Sequence, residues 1–227
     1  MFKTSEELAK SFQMGYPLKG INPGSISQGF GENATTFYKD LGLRGHNGID
    51  FSVPIGTELY ATFDGTIEEA RTWPSGGVGI YLVSRSKGTG DQSIRLRAIY
   101  WHLSGVAVKK GDMVSKGQLI GYSGNTGRYT TGPHLHFGIK PYYKSGEEWK
   151  AATSNGYWGA VDPMPMFEGD DTEIYPVDRQ YGMEDDAWYE HQKELFKKDI
   201  YVLNKFNRTP TKRELVALSY GCWQPDE

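Results

Sequence analysis

The order of apolar and polar residues divides the chain into three stretches. Residues 4–14 read as a short helix, in which Thr4 and Glu7 have capping-box spacing and Leu8, Phe12 and Met14 give an apolar side. Two prolines and three glycines between positions 15 and 24 end it in a loop. From about 25 to 140 the pattern changes to short apolar segments punctuated by turn residues. The candidate strands are 26–30, 49–53, 58–63, 66–70, 78–86, 94–103, 118–122 and 135–140. No helical pattern lies between them, which favours antiparallel pairing. Asp64-Gly65 falls between two of these strands and predicts a tight hairpin, and Gly111-Asp112 and Lys116-Gly117 bracket a second turn region.

Residues 141–167 are aromatic and read as irregular, with Pro163 and Pro165 excluding a regular ladder near the end. Residues 168–173 are acidic and read as a linker. Beyond 184, Trp188, Leu195, Phe196, Ile200 and Leu203 mark one face of a helix, with Asp185 and Asp186 in its first turn and Lys197 and Lys198 nearer its end. Thr209-Pro210 then caps a short helix over 213–220, stopped at Gly221. The expected organisation is a helix and loop over 1–24, a mainly β domain over 25–167, a linker over 168–183 and a helical appendage over 184–227.

Composition narrows the function classes. A length of 227 residues suits one domain with an appendage, and a net charge of −3 implies no large basic surface for nucleic acid. The 29 glycines and 15 tyrosines agree with a turn-rich β fold. A single cysteine, Cys222, excludes an internal disulfide and a cysteine-built zinc knot, and reads as a small apolar residue. No run of apolar residues is long enough for a membrane span. The N-terminus shows no apolar core of a signal peptide, so none is expected.

Five histidines remain as candidate chemistry, and three of them fall in two short stretches, His46-Asn47-Gly48-Ile49-Asp50 and His134-Leu135-His136. On an extended strand, side chains an even number of positions apart share a face. His134 and His136 therefore face one spot, and so would His46 and Asp50. A hydrolytic zinc site needs three protein ligands and one open position, which His46, Asp50 and one of the 134/136 pair would supply. The other histidine of the pair is then free for proton transfer or for stabilising an oxyanion. Spacing alone leaves open which of the two binds metal. His102 closes the predicted strand 94–103 and is a further candidate. His191 lies among Glu190, Lys193 and Glu194 on the polar side of the long helix and is assigned no chemistry.

These stretches, with Tyr100-Trp101-His102-Leu103 and Gly132-Pro133-His134-Leu135-His136-Phe137, resemble the M23 family of zinc metallopeptidases, the lysostaphin-like or LytM-type endopeptidases of peptidoglycan. The segments Gly56-Thr57-Glu58-Leu59-Tyr60-Ala61, Asp64-Gly65-Thr66-Ile67, 110–121 and Ser123-Gly124-Asn125-Thr126-Gly127 agree with it in order and spacing, over roughly residues 25–165. The resemblance implies a two-sheet antiparallel β-domain with a substrate groove. It implies Zn²⁺ held by His46, Asp50 and His136, with His102 and His134 off the metal as catalytic groups. The implied partner is peptidoglycan peptide.

Combined with the N-terminus, the resemblance suggests a bacteriophage enzyme acting as a lysin or within a virion, with phage structural proteins as partners of the C-terminal helices. The alternative is a secreted protein whose signal has been removed. The competing function is a non-catalytic relative that binds the wall or activates another hydrolase, but such relatives usually lack zinc ligands, and here all are present. The chain departs from the family pattern at Ser86-Lys87-Gly88 and in a longer hairpin tip over 89–93, expected to alter one wall of the groove.

Overall fold

A computed structural model of the chain describes residues 3–19, 25–33 and 35–168. The linker beyond Glu168, both expected C-terminal helices, His191 and Cys222 lie outside the described residues. In chain order the elements are α1 (Ser5–Ala9), β1 (Ile26–Gln28), α2 (Thr36–Asp40), β2 (Ile49–Phe51), β3 (Glu58–Tyr60), β4 (Gly65–Trp73), β5 (Gly77–Ser84), β6 (Ile94–Leu103), β7 (Gly105–Val106), β8 (Met113–Val114), β9 (Leu119–Tyr122), β10 (Leu135–Ser145) and β11 (Glu148–Ala151). The larger sheet runs β1-β2-β10-β6-β5-β4-β8, with β11 paired to β10. A three-stranded sheet runs β3-β9-β7. All strand pairings are antiparallel, as expected from strands this close in sequence.

β6 shows how the sequence builds the core. Its alternate residues Leu96, Ala98 and Tyr100 are fully buried, while Arg95, Arg97 and Trp101 point to the opposite face. The Tyr100 hydroxyl donates to the Tyr60 carbonyl at 3.1 Å and accepts from the Thr62 amide at 3.1 Å, so it ties the large sheet to the end of β3. α1 has the expected capping box but ends after five residues. Leu8, Phe12, Met14 and Leu18 nevertheless enter the same core as Phe137 and Ile139. Met14 pairs with Phe167, and Tyr16 stacks on Phe167 at 4.3 Å, joining the two ends of the described chain. No helix among the described residues is long and apolar enough to cross a membrane.

Two local expectations are corrected. Asp64-Gly65 is not a hairpin, because β3 and β4 belong to different sheets. The chain crosses between sheets there, and Gly65 lies so close to Val83 that a Cβ would stand 2.3 Å from its carbonyl oxygen. Residues 141–151 are not irregular: β10 continues to Ser145 and forms a hairpin with β11. Pro141 is tolerated in that long strand because it falls between the β2 pairing, which ends at Phe137, and the β11 pairing, which begins at Tyr142. The tip over 89–93 forms a 3₁₀ turn at the Ile94 end of β6, eight residues or roughly 26 Å from His102. The tip therefore lies at the far end of the sheet from His102. Its Asp91 accepts from the Gly146 amide in the β10–β11 turn at 2.9 Å.

Candidate metal centre

The register of the central strands assembles the site. His136 on β10 lies directly opposite Asp50 on β2 and directly opposite Trp101 on β6. These three side chains share the face opposite the core, because their neighbours Leu135, Phe137, Ile49, Phe51 and Tyr100 are buried in it. His46 is not on a strand, contrary to the even-offset expectation. It sits in the bend before β2, held by backbone bonds from its amide to Glu32 and from the Gly31 amide to its carbonyl. Gly45 permits this approach, since a Cβ there would stand 2.3 Å from the Gly31 carbonyl oxygen.

The bend turns His46 onto the same spot. His46 Nε2 is 2.9 Å from His136 Nδ1 and 3.2 Å from Asp50 Oδ1, and His136 Nδ1 is 3.0 Å from Asp50 Oδ1. The three atoms form a nearly equilateral triangle. Ligands bound tetrahedrally to zinc at its usual bond lengths stand about 3.3 Å apart, so these donors are close to the spacing the ion requires. The tautomer also fits. His46 Nδ1 is 3.2 Å from the Gly29 carbonyl, which only accepts, so Nδ1 carries the proton and Nε2 offers its lone pair to the centre of the triangle. Two imidazoles and one carboxylate are a donor set suited to zinc.

The electrostatics favour the ligating forms. Burial alone would raise the Asp50 carboxyl, but the close approach of the His136 and His46 imidazoles outweighs it and holds the group well below the usual carboxylate range. Burial pushes the His136 imidazole down, partly offset by Asp50. Asp50 is thus a carboxylate and His136 neutral at ordinary pH.

The other two histidines border the triangle. His134 Nε2 is 3.8 Å from Asp50 Oδ2, and its ring is 4.6 Å from that of His102. His134 Nδ1 donates to the Gly132 carbonyl at 2.7 Å, and His102 Nδ1 donates to the Thr126 carbonyl at 2.7 Å. Each ring thereby keeps a free Nε2.

His102 reaches this face by a bulge. Strand alternation would place it with Tyr100 in the core. The β5–β6 register slips by one between Val78 and Ile80, and His102 takes a left-handed backbone with φ 65°. Thr126 secures the bulge, its hydroxyl donating to the Leu103 carbonyl at 2.7 Å and accepting from the Val78 amide at 3.0 Å. Burial, followed by the nearby His134 and His136, lowers the His102 pKa to about 3.

Sequence reasoning missed two supporting residues. Trp101 stacks on His136 with ring centroids 5.3 Å apart and 23° between planes. Gly76 and Gly79 give its indole room, as a Cβ at either would stand 2.5 to 2.7 Å from it. Gly48 lies against the His136 ring. No signal short of the strand register could have found either. A Cβ at Gly48 would stand 2.7 Å from His136 Cε1 and 2.6 Å from the Phe137 carbonyl oxygen. Gly48→Ala should therefore displace His136, destabilise the fold by about 1–3 kcal/mol and weaken metal retention at least about tenfold. Competition with a chromogenic chelator, run beside a thermal melt, measures both.

Three converging donors with two free imidazoles beside them are the equipment of a metal-dependent hydrolase site. Residues 44–149 match the model of Peptidase family M23. Among curated proteins the chain is 48% identical over 92 residues to the peptidoglycan DD-endopeptidase ShyA of Vibrio cholerae, covering 40% of this chain and 19% of that protein. It is 44% identical over 130 residues to the glycyl-glycine endopeptidase ALE-1 of Staphylococcus capitis, covering 56% of this chain and 31% of that protein. The chain thus spans less than a third of either relative. Among solved structures, the catalytic domain of lysostaphin from Staphylococcus simulans is 31% identical, with 72% of this chain and 97% of that one covered and a TM-score of 0.42.

Proposed function

We propose that the protein is a zinc-dependent endopeptidase that hydrolyses peptide cross-links or stems of bacterial peptidoglycan. The observation that carries this reading is the triangle of His46 Nε2, Asp50 Oδ1 and His136 Nδ1 with His102 and His134 at its edge. Relatives named as endopeptidases of peptidoglycan or of glycyl-glycine bonds support the substrate class.

Zinc held by the three donors would lower the pKa of bound water and polarise the carbonyl under attack. The chain's own groups do the rest. His134, with Nδ1 anchored on Gly132, presents Nε2 beside Asp50 and is placed to take a proton from the attacking water and pass it to the leaving amine. His102 is kept neutral by burial and anchored on Thr126, so its Nε2 offers a fixed lone pair close to His134. It orients the water or the proton in transit. Neither ring has to reorganise, because each is held at Nδ1.

The test is metal removal. Stripping the protein with a chelator should abolish lysis of isolated walls, and about one equivalent of zinc should restore it. Undiminished lysis by protein shown by mass spectrometry to be metal-free would sink the proposal. Mass spectrometry of the muropeptides released from walls of different cross-link chemistry then identifies the bond.

A further inference from the structure

The face that carries Asp50, His136 and Trp101 continues along β6 and β10 into a basic, aromatic strip. Lys140 is four residues beyond His136 and lies directly opposite Arg97, itself four residues before Trp101. Even offsets and direct pairing place all four on one face. Lys140 and Arg97 therefore lie about 13 Å from the triangle. Arg97 is sandwiched by aromatic rings, its guanidinium 4.4 Å from the Tyr142 centroid and 5.1 Å from that of Tyr81. Arg95 lies 4.6 Å from the Trp149 ring.

The charges in this strip do not balance. Glu68 pairs with Arg97 and lies 3.8 Å from Arg95. Lys140 makes no ion pair among the described residues, although it is only half-exposed. Like charges directly opposite on neighbouring strands oppose folding. Burial and Arg97 both lower the Lys140 pKa, which shows the same strain on its ammonium. Arg95 and Arg97 thus share the one Glu68 carboxylate, and Lys140 beside them has no anion of its own, on a sheet face in line with the candidate metal centre.

We propose that Lys140 and Arg97 form a subsite for a carboxylate of the peptide substrate, about 13 Å along the sheet face from the metal centre. This rests on the reading of the protein as a peptidoglycan endopeptidase. An extended peptide advances at the same pitch as the strands beneath it, so the carboxylate lies about four residues from the bond that is cut. Stem peptides carry free carboxylates on side chains and at their ends, and some walls amidate them. Arg97 already donates to Tyr142 and Glu68, leaving the Lys140 ammonium as the unclaimed donor group. The subsite therefore separates amidated from free substrates.

The experiment compares cross-linked muropeptides from a wall the protein lyses, identical except for amidation of their stem carboxylates. The full chain should cleave the free form with kcat/KM about tenfold higher. Lys140→Gln should bring that ratio close to one, and Lys140→Arg should retain it. Because Lys140→Gln also relieves repulsion with Arg97, it should melt at the same or a higher temperature, whereas a merely structural lysine would melt lower. An unchanged ratio in Lys140→Gln, or no preference in the parent, overturns the subsite. Failure of the parent to lyse any wall overturns the functional reading itself, and the subsite with it.

Discussion

His136→Ala is expected to yield a folded protein that holds no metal and lyses no wall. His136 makes the two shortest sides of the triangle, 2.9 Å to His46 and 3.0 Å to Asp50. Its removal leaves two donors, His46 and Asp50, too few for a hydrolytic zinc site. It also strips the buried Asp50 carboxylate of the hydrogen bond that most favours its charged form. The Asp50 pKa should then rise, so the remaining carboxylate binds a cation less well at mildly acidic pH. Leu135 and Phe137 keep β10 in the core, so the loss is of chemistry rather than of the fold. Elemental analysis after gel filtration, with circular dichroism as the folding control, decides the matter: a stoichiometric metal in His136→Ala would move the ligand assignment elsewhere. In the parent, acid should release the metal, because protons compete for the imidazoles.

The two histidine stretches stood out in the sequence because their spacing is local. His134 and His136 are two apart beside a predicted strand, and the structure draws them toward the one Asp50 carboxylate. The strand 94–103 was found at its observed bounds because apolar residues alternate from Ile94 to Ala98 and then run on through Ile99, Tyr100 and Trp101 to Leu103. What failed depended on pairing. Asp64-Gly65 has hairpin chemistry, yet the flanking strands bury against different partners. The β10–β11 hairpin was hidden by Pro141 and by aromatic residues on both faces. α2, with Tyr38 6.0 Å from the His46 ring, has no apolar stripe and no buried residue to announce it. His46 was expected on a strand, and its true support is the backbone of 29–32, which no spacing rule reveals. Trp101 looks like any strand aromatic until the register sets it against His136.

His134→Ala should retain metal and lose about 10²–10⁴ in turnover, the range usual for a general acid–base group. Its ring touches the triangle only at 3.8 Å through Asp50 Oδ2, so none of the three donors moves when it is deleted. A variant with parental activity would show that proton transfer lies elsewhere. His102 gives the same division with an added signature. Asparagine is the better replacement, since φ 65° is tolerated by Asn and strained for Ala. His102→Asn should keep metal and lose turnover, and it should also change the acid stability of the metal-free protein. With a folded pKa of about 3 against an ordinary 6.5, His102 binds a proton in the unfolded chain before it does in the folded one. The folded state therefore loses stability as pH falls from about 6.5 toward about 3, and is unaffected above that window. Asparagine does not titrate, so in His102→Asn that part of the slope should vanish. Urea melts of both metal-free proteins across the window measure it, and equal slopes would mean that His102 is not held neutral by its site.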